Sequence, residues 1–207
     1  MKKLGSMFAF MMTGIMVAGC SFLYEDASES AGSPVIDVTQ ADDPWQVVDF
    51  EGVNQFGETI TNETYEGEWW LAKTIFTRCP GVCNVMTPNM KELQDGIIEE
   101  DLDVHIVGFT VDPDFDTPER LEDYGEAYGV DFESWDFITG YSYSEMQRVI
   151  LESFNAPIQE LPEQEDIMHP VRFYLMSPDG QVYRMYSGES GFDYDIIMED
   201  IRSLVSA

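Results

Sequence analysis

Residues 69–90, WWLAKTIFTRCPGVCNVMTPNM, decide the fold, because a strand pattern turns into a helix pattern inside them. Trp69 to Phe76 is a run of large, mostly apolar residues long enough for a buried strand, and Thr77-Arg78-Cys79-Pro80-Gly81-Val82-Cys83 then leads into a helical stripe. Two cysteines therefore sit at a strand-to-helix junction. There the free N–H groups and the positive end of the helix dipole favour thiolate over thiol, which readies a sulfur to attack a disulfide or bind a soft metal.

Working outward, Met86, Met90, Leu93 and Ile97 form the apolar stripe of a helix over Met86–Ile98 that would lie on the sheet. Upstream, Trp45–Phe50 and Glu58–Thr61 flank Asn54-Gln55-Phe56-Gly57 and predict a β-hairpin. Downstream come a strand at Asp103–Val111 and an acidic helix from Thr117-Pro118-Glu119 to about Tyr128. A short strand at Asp136–Thr139 follows, then a helix capped by Ser142 or Ser144 that runs to about Phe154. Asn155–Met168 reads as a polar loop, and the strands Val171–Met176 and Gln181–Tyr186 flank the turn Ser177-Pro178-Asp179-Gly180 before a last helix, Tyr194–Leu204. This alternation predicts an α/β sheet covered on both faces. Its order matches a thioredoxin-like core with an N-terminal β-hairpin added and a helix–strand insertion in the middle.

The 207 residues, 44% of them apolar, suit one domain plus an N-terminal extension. Lys2 and Lys3 precede the apolar run Leu4–Val17, and Val17-Ala18-Gly19-Cys20 then supplies small residues before a cysteine. This is the arrangement of a bacterial lipoprotein export signal over residues 1–19, with cleavage leaving a lipid on Cys20. As an uncleaved anchor the run falls short, because Gly5, Ser6, Thr13 and Gly14 interrupt it and a span needs about 20 apolar residues. Residues 20–44, rich in Ser, Ala, Gly, Asp and Glu, read as a flexible acidic tether that at full extension reaches roughly 80 Å. Residues 45–207 then form the folded domain, held by the lipid at the extracytoplasmic face of the cell membrane.

The formal charge of −30 excludes nucleic acid and anionic headgroups as partners, so the lipid has to do the anchoring. The acids are spread along the chain, as in adaptation to a salty or alkaline exterior rather than in one acidic binding face.

Of the three cysteines, Cys79 and Cys83 remain as an isolated pair in an oxidising compartment. A disulfide closing so short a loop would constrain the unfolded chain very little, so the pair points to function rather than to a staple. Positions i and i+4 share a helical face, so both sulfurs can converge on one ion. Soft thiolates select Cu(I), with Zn(II) as competitor, and a nitrogen ligand extends the site to Cu(II). Of the two histidines, His105 lies among apolar neighbours in a strand and reads as structural. His169 ends a loop just before a core strand, where a thioredoxin-like fold brings it beside the cysteine turn, and it reads as the ligand. Met86 and Met90 read as packing, while Met168 stays a candidate soft ligand.

Three motifs resemble the Sco (SenC-type) copper chaperones: Phe76-Thr77-Arg78-Cys79-Pro80-Gly81-Val82-Cys83, Val111-Asp112-Pro113-Asp114-Phe115-Asp116-Thr117-Pro118, and His169 before Phe173-Tyr174-Leu175 with Pro178-Asp179-Gly180. The likeness covers about Trp45 to Val205. It implies a thioredoxin-like fold, copper held by Cys79, Cys83 and His169, and Asp112 and Asp116 shaping the nearby loop. It also implies a role in building the dinuclear copper centre of cytochrome c oxidase subunit II. Asn84 and Pro170 depart from the usual pattern, in which proline follows the second cysteine and rarely the histidine. A thiol–disulfide reductase that keeps the target's cysteines reduced through Cys79 and Cys83 is the competing reading. A thiol peroxidase fits less well, since Thr77-Arg78-Cys79 lacks a Thr-x-x-Cys spacing.

Overall fold

The computed structural model describes residues 33–41 and 43–206. The expected signal segment, Cys20 and the tether up to residue 32 lie outside them. Trp69–Ile75 forms the central strand β4, buried along most of its length, as a strand covered on both faces must be. It pairs in parallel with β5 (Val104–Thr110), which pairs in parallel with β6 (Trp135–Ile138). On its other side β4 meets β9 (Arg172–Met176) antiparallel, followed by β10 (Val182–Ser187) and β1 (Val35–Asp37). The six-stranded order is β1-β10-β9-β4-β5-β6.

Helices cover both faces, which gives the α/β, thioredoxin-like architecture expected. On one face, α1 (Cys83–Glu99) packs Met86, Met90, Leu93 and Ile97 against Leu71 and Ile75, together with α2 (Pro118–Tyr128) and α4 (Tyr194–Val205). On the other, α3 (Tyr143–Phe154) places Met146, Val149, Ile150 and Phe154 against Trp70, Ala72 and Phe109. The caps follow from the sequence. Thr117 accepts from the Arg120 N–H with Pro118 opening α2, Ser142 forms a capping box with Glu145, and Asp193 accepts from the Ile196 N–H. Gly129 ends α2 in the left-handed region at φ 68°. The unit α2–β6 is the helix–strand insertion.

Four expectations differ in detail. Helix α1 begins at Cys83 rather than Met86, so the second cysteine is itself helical. The hairpin is β2 (Glu51–Val53) and β3 (Thr59–Thr61), not a strand over 45–50. Residues 45–47 instead run beside the start of β10, where Trp45 O accepts from Val182 N at 2.9 Å and Val47 N donates to Gly180 O at 3.0 Å. Residues 35–37, read from composition as tether, pair with β10 as β1, and Val38 is buried behind them. The polar stretch 155–168 is not structureless: Gln159–Leu161 (β7) and Asp166–Met168 (β8) pair as a second hairpin, with only Ile167 of it well buried. Its charged, nearly continuous polarity hides the alternation that marks a half-buried strand.

Candidate metal centre

Strand β4 ends at Ile75, and the chain must turn sharply to start α1. Phe76 O accepts the Cys79 N–H at 3.2 Å, which closes the first bend, and Pro80-Gly81-Val82 completes it. Val82, already in a right-handed helical conformation, offers no side-chain cap to α1. The sulfur of Cys79 takes that place, accepting the Cys83 N–H at 3.5 Å. The third group comes from across the sheet. His169 sits between β8 and β9, and β9 runs beside β4, so the imidazole arrives next to the cysteine turn. Its Nε2 lies 3.7 Å from Cys83 Sγ, and the ligand atoms of Cys79, Cys83 and His169 all lie within 4.8 Å of one another.

The far side of the ring sets the tautomer. His169 Nδ1 is 3.1 Å from the Pro170 carbonyl, which can only accept, and 2.9 Å from Thr74 Oγ1. Thr74 Oγ1 in turn donates to the same carbonyl at 3.0 Å. Nδ1 must therefore carry the proton, and the Nε2 lone pair faces the sulfurs. Phe76 meets the ring edge-on, 5.7 Å between centroids, and fixes its plane. Such outer contacts orient a ligating histidine in metal sites.

The two sulfurs are unequal. Cys79, half-buried, is drawn down to about 4 by the hydrogen bond from the Cys83 thiol, with His169 and the backbone N–H groups of Cys83 and Gly81 helping and burial opposing. Cys83, buried, is pushed well above the ordinary thiol range by the Cys79 sulfur and by desolvation. The two titrate as a coupled pair, and the deeper burial of Cys83 disposes the last proton to it. Neither of these two cysteines is in a disulfide.

A carboxylate network holds the turn in place, as the resemblance implied for Asp112 and Asp116. Asp116, fully buried, accepts from the Thr77 N–H at 3.2 Å, the Thr77 hydroxyl at 2.5 Å and the Thr110 hydroxyl. Asp112 takes Arg78 Nε at 2.6 Å. Phe115 is flanked by the Arg78 and Arg120 guanidinium groups, 4.5 and 3.8 Å from its ring centre. The loop before α2 is thus tied to Thr77 and Arg78, the two residues that lead into Cys79.

The remaining candidates fall elsewhere. His105 Nε2 meets Asp136 at 3.0 Å and its ring lies against Tyr65, a structural role as expected. Met86 and Met90 are core residues, and Met168 is 42% exposed on β8. Thr74 escaped the sequence reading, since nothing marks a strand threonine as facing a histidine 95 residues away. Lys73, in the middle of the buried strand, carried a visible signal: a charge inside WWLAKTIF.

Two free thiols and one oriented imidazole at the end of a thioredoxin-like β-strand define a protein built to hold a soft ion or exchange a disulfide. Residues 39–206 match the SCO1/SenC family model. The chain belongs to that family. It is 39% identical over 166 residues to the SCO1 protein homolog of Bacillus subtilis, covering 79% of this chain and 86% of the relative. Among solved structures, a SCO1/SenC family lipoprotein from Bacillus anthracis superposes with a TM-score of 0.75 at 33% identity, covering 79% of this chain and 96% of that one. BsSco, described as a member of the Sco family of cytochrome c oxidase assembly proteins and as having a disulfide switch, gives 0.71 at 39%, covering 77% and 93%.

Proposed function

We propose that Cys79, Cys83 and His169 bind copper and that the protein delivers it to the dinuclear centre of cytochrome c oxidase subunit II. The observation that carries this reading is the donor set. Two sulfurs and one imidazole nitrogen, with no carboxylate among them, suit Cu(I) through the thiolates and Cu(II) through the added nitrogen. Three protein donors, with Cys79 only half-buried, suit cargo that must be passed on better than a closed four-ligand structural zinc site. The site's place is the extracytoplasmic face of the cell membrane, tethered through a lipid on Cys20, and a relative described as a lipoprotein supports that arrangement.

A second reading has its own observation. Cys79 is held as thiolate beside a protonated Cys83, the asymmetry a dithiol reductase uses to attack with one sulfur and resolve with the other. His169 separates the two, because copper needs the imidazole and disulfide exchange does not. In a His169→Ala strain, oxidase copper-centre assembly should fail while the purified domain still reduces an oxidised target peptide. Normal assembly without His169 would overturn copper delivery in favour of the reductase.

A further inference from the structure

Lys73 lies at the centre of β4 with 1% of its surface exposed, on the face opposite Thr74. Its Nζ donates to Thr87 Oγ1 at 2.6 Å, and Thr87 Oγ1 lies 2.5 Å from the Tyr124 hydroxyl of α2. The Trp135 ring of β6 is 5.8 Å away. Among the described residues, no carboxylate lies within ion-pair distance of Nζ. A buried lysine without an acid is costly, and charged groups are almost never fully buried unless paired. Thr87 stands one helical turn after Cys83, so the hydrogen-bond partner of the ammonium lies on the same face of α1 as the second sulfur. The titratable groups that face it are the Cys83 and Cys79 sulfurs, which favour the ammonium, and the Tyr124 hydroxyl.

We propose that Lys73 is the built-in counter-ion of the Cys79–Cys83 pair, and that its ammonium favours whichever state of the site is the more negative. Two thiolates and a neutral imidazole give a net charge of −1 with Cu(I) and zero with Cu(II), so the ammonium favours the cuprous form. Without metal, the dithiol can carry a thiolate at Cys79, whose sulfur accepts the Cys83 N–H, whereas a disulfide carries no charge, so the ammonium favours dithiol over disulfide. Lys73 touches neither the ion nor the sulfurs and acts as a positioning residue for charge. Burial pulls Lys73 down to about 7 and the sulfurs push it back up, the reciprocal of the same attraction.

The cuprous arm rests on the copper reading above; the disulfide arm does not. For the first, Lys73→Met should weaken Cu(I) about tenfold more than Cu(II), read by chelator competition for each state. The same ratio lowers the one-electron midpoint of the bound copper by about 59 mV. For the second, the metal-free protein is equilibrated with glutathione at pH 6, below the value of about 7 to which burial lowers Lys73. Two glutathione thiols supply two electrons and leave as glutathione disulfide, and their two protons pass to the protein sulfurs or to solvent. Lys73→Met should shift this equilibrium about tenfold toward the protein disulfide. Thr87→Val, which frees the ammonium from its anchor, should move both readouts the same way by less, with the fold checked by circular dichroism. Equal weakening of both copper states with an unchanged disulfide equilibrium would overturn the proposal and leave Lys73 as packing. Failure of the wild type to bind copper would sink the copper reading instead, and the disulfide arm would still decide the role of Lys73.

Discussion

Replacing Lys73 by methionine should make the metal-free, reduced domain more stable at neutral and acidic pH. The side chain keeps its length, loses its charge, and leaves Thr87 and Tyr124 bonded to each other. Lys73 is held at about 7 in the fold against an ordinary 10.5, mainly by burial. Between those values the unfolded chain binds the proton and the folded chain does not, so wild-type stability rises with pH through this window and is lower below it. At about 1.36 kcal/mol per pH unit, the burden below pH 7 is about 5 kcal/mol at most, less the hydrogen bond to Thr87. Urea unfolding of both proteins at pH 6, 7, 8, 9 and 10, in reductant, measures the difference directly. Lys73→Met should lead by several kcal/mol at pH 6, and the lead should shrink steadily toward pH 10. A lead that stays constant, or a variant less stable at pH 6, would show that the folded protein meets the ammonium with compensation that Thr87 and the sulfurs do not account for.

Three further outcomes follow from the site. Iodoacetamide should label Cys79 at a rate nearly flat from pH 8 to 5 and half-maximal near pH 4, because its thiolate persists to about there, while Cys83 stays protected; mass spectrometry of each site checks this, and a rate climbing through pH 8–9 would contradict it. Thr74→Val keeps the strand but removes the hydroxyl that accepts from His169 Nδ1, and should lower copper affinity about tenfold by chelator competition. Unchanged affinity would mean that Pro170 and Phe76 orient the ring alone. Cys20→Ala should move the protein out of the membrane fraction or leave it unprocessed, whereas a cleaved, soluble wild type would refute lipidation.

Much of the fold was legible because it rests on long buried patterns. The β4 run, the Met86–Ile97 stripe and the three capped helices each carry a local signal that survives packing. The short pieces were not legible. Strand β1 is only Val35–Asp37 and gains its hydrogen bonds from β10, so a tether-like composition concealed it. The β7–β8 hairpin is similarly polar and depends on pairing rather than burial. For the site, Cys79 and Cys83 stood out by spacing and His169 by its place before β9. The groups that set its tautomer and charge, Thr74 and Lys73, are ordinary residue types whose meaning comes from contacts made across the sheet and onto α1.

Those two residues are neighbours in sequence and opposite in direction, and this explains how one strand serves the site three ways. The alternation of β4 sends Thr74 toward His169 on the α3 face and Lys73 toward Thr87 on the α1 face, while its end carries the chain into the cysteine turn. The histidine's orientation and the lysine's charge are thus fixed to the same strand, paired along both edges, that positions Cys79. A shift of β4 by one residue would exchange the two faces, placing a lysine against the imidazole and a threonine beneath the thiolates. The strand's parallel pairing with β5 over its whole length, Trp69 to Ile75 against Val104 to Thr110, and its antiparallel pairing with β9 hold that register from both sides. The precision of the metal centre is therefore a property of the core sheet, and the exposed cysteine turn only presents it.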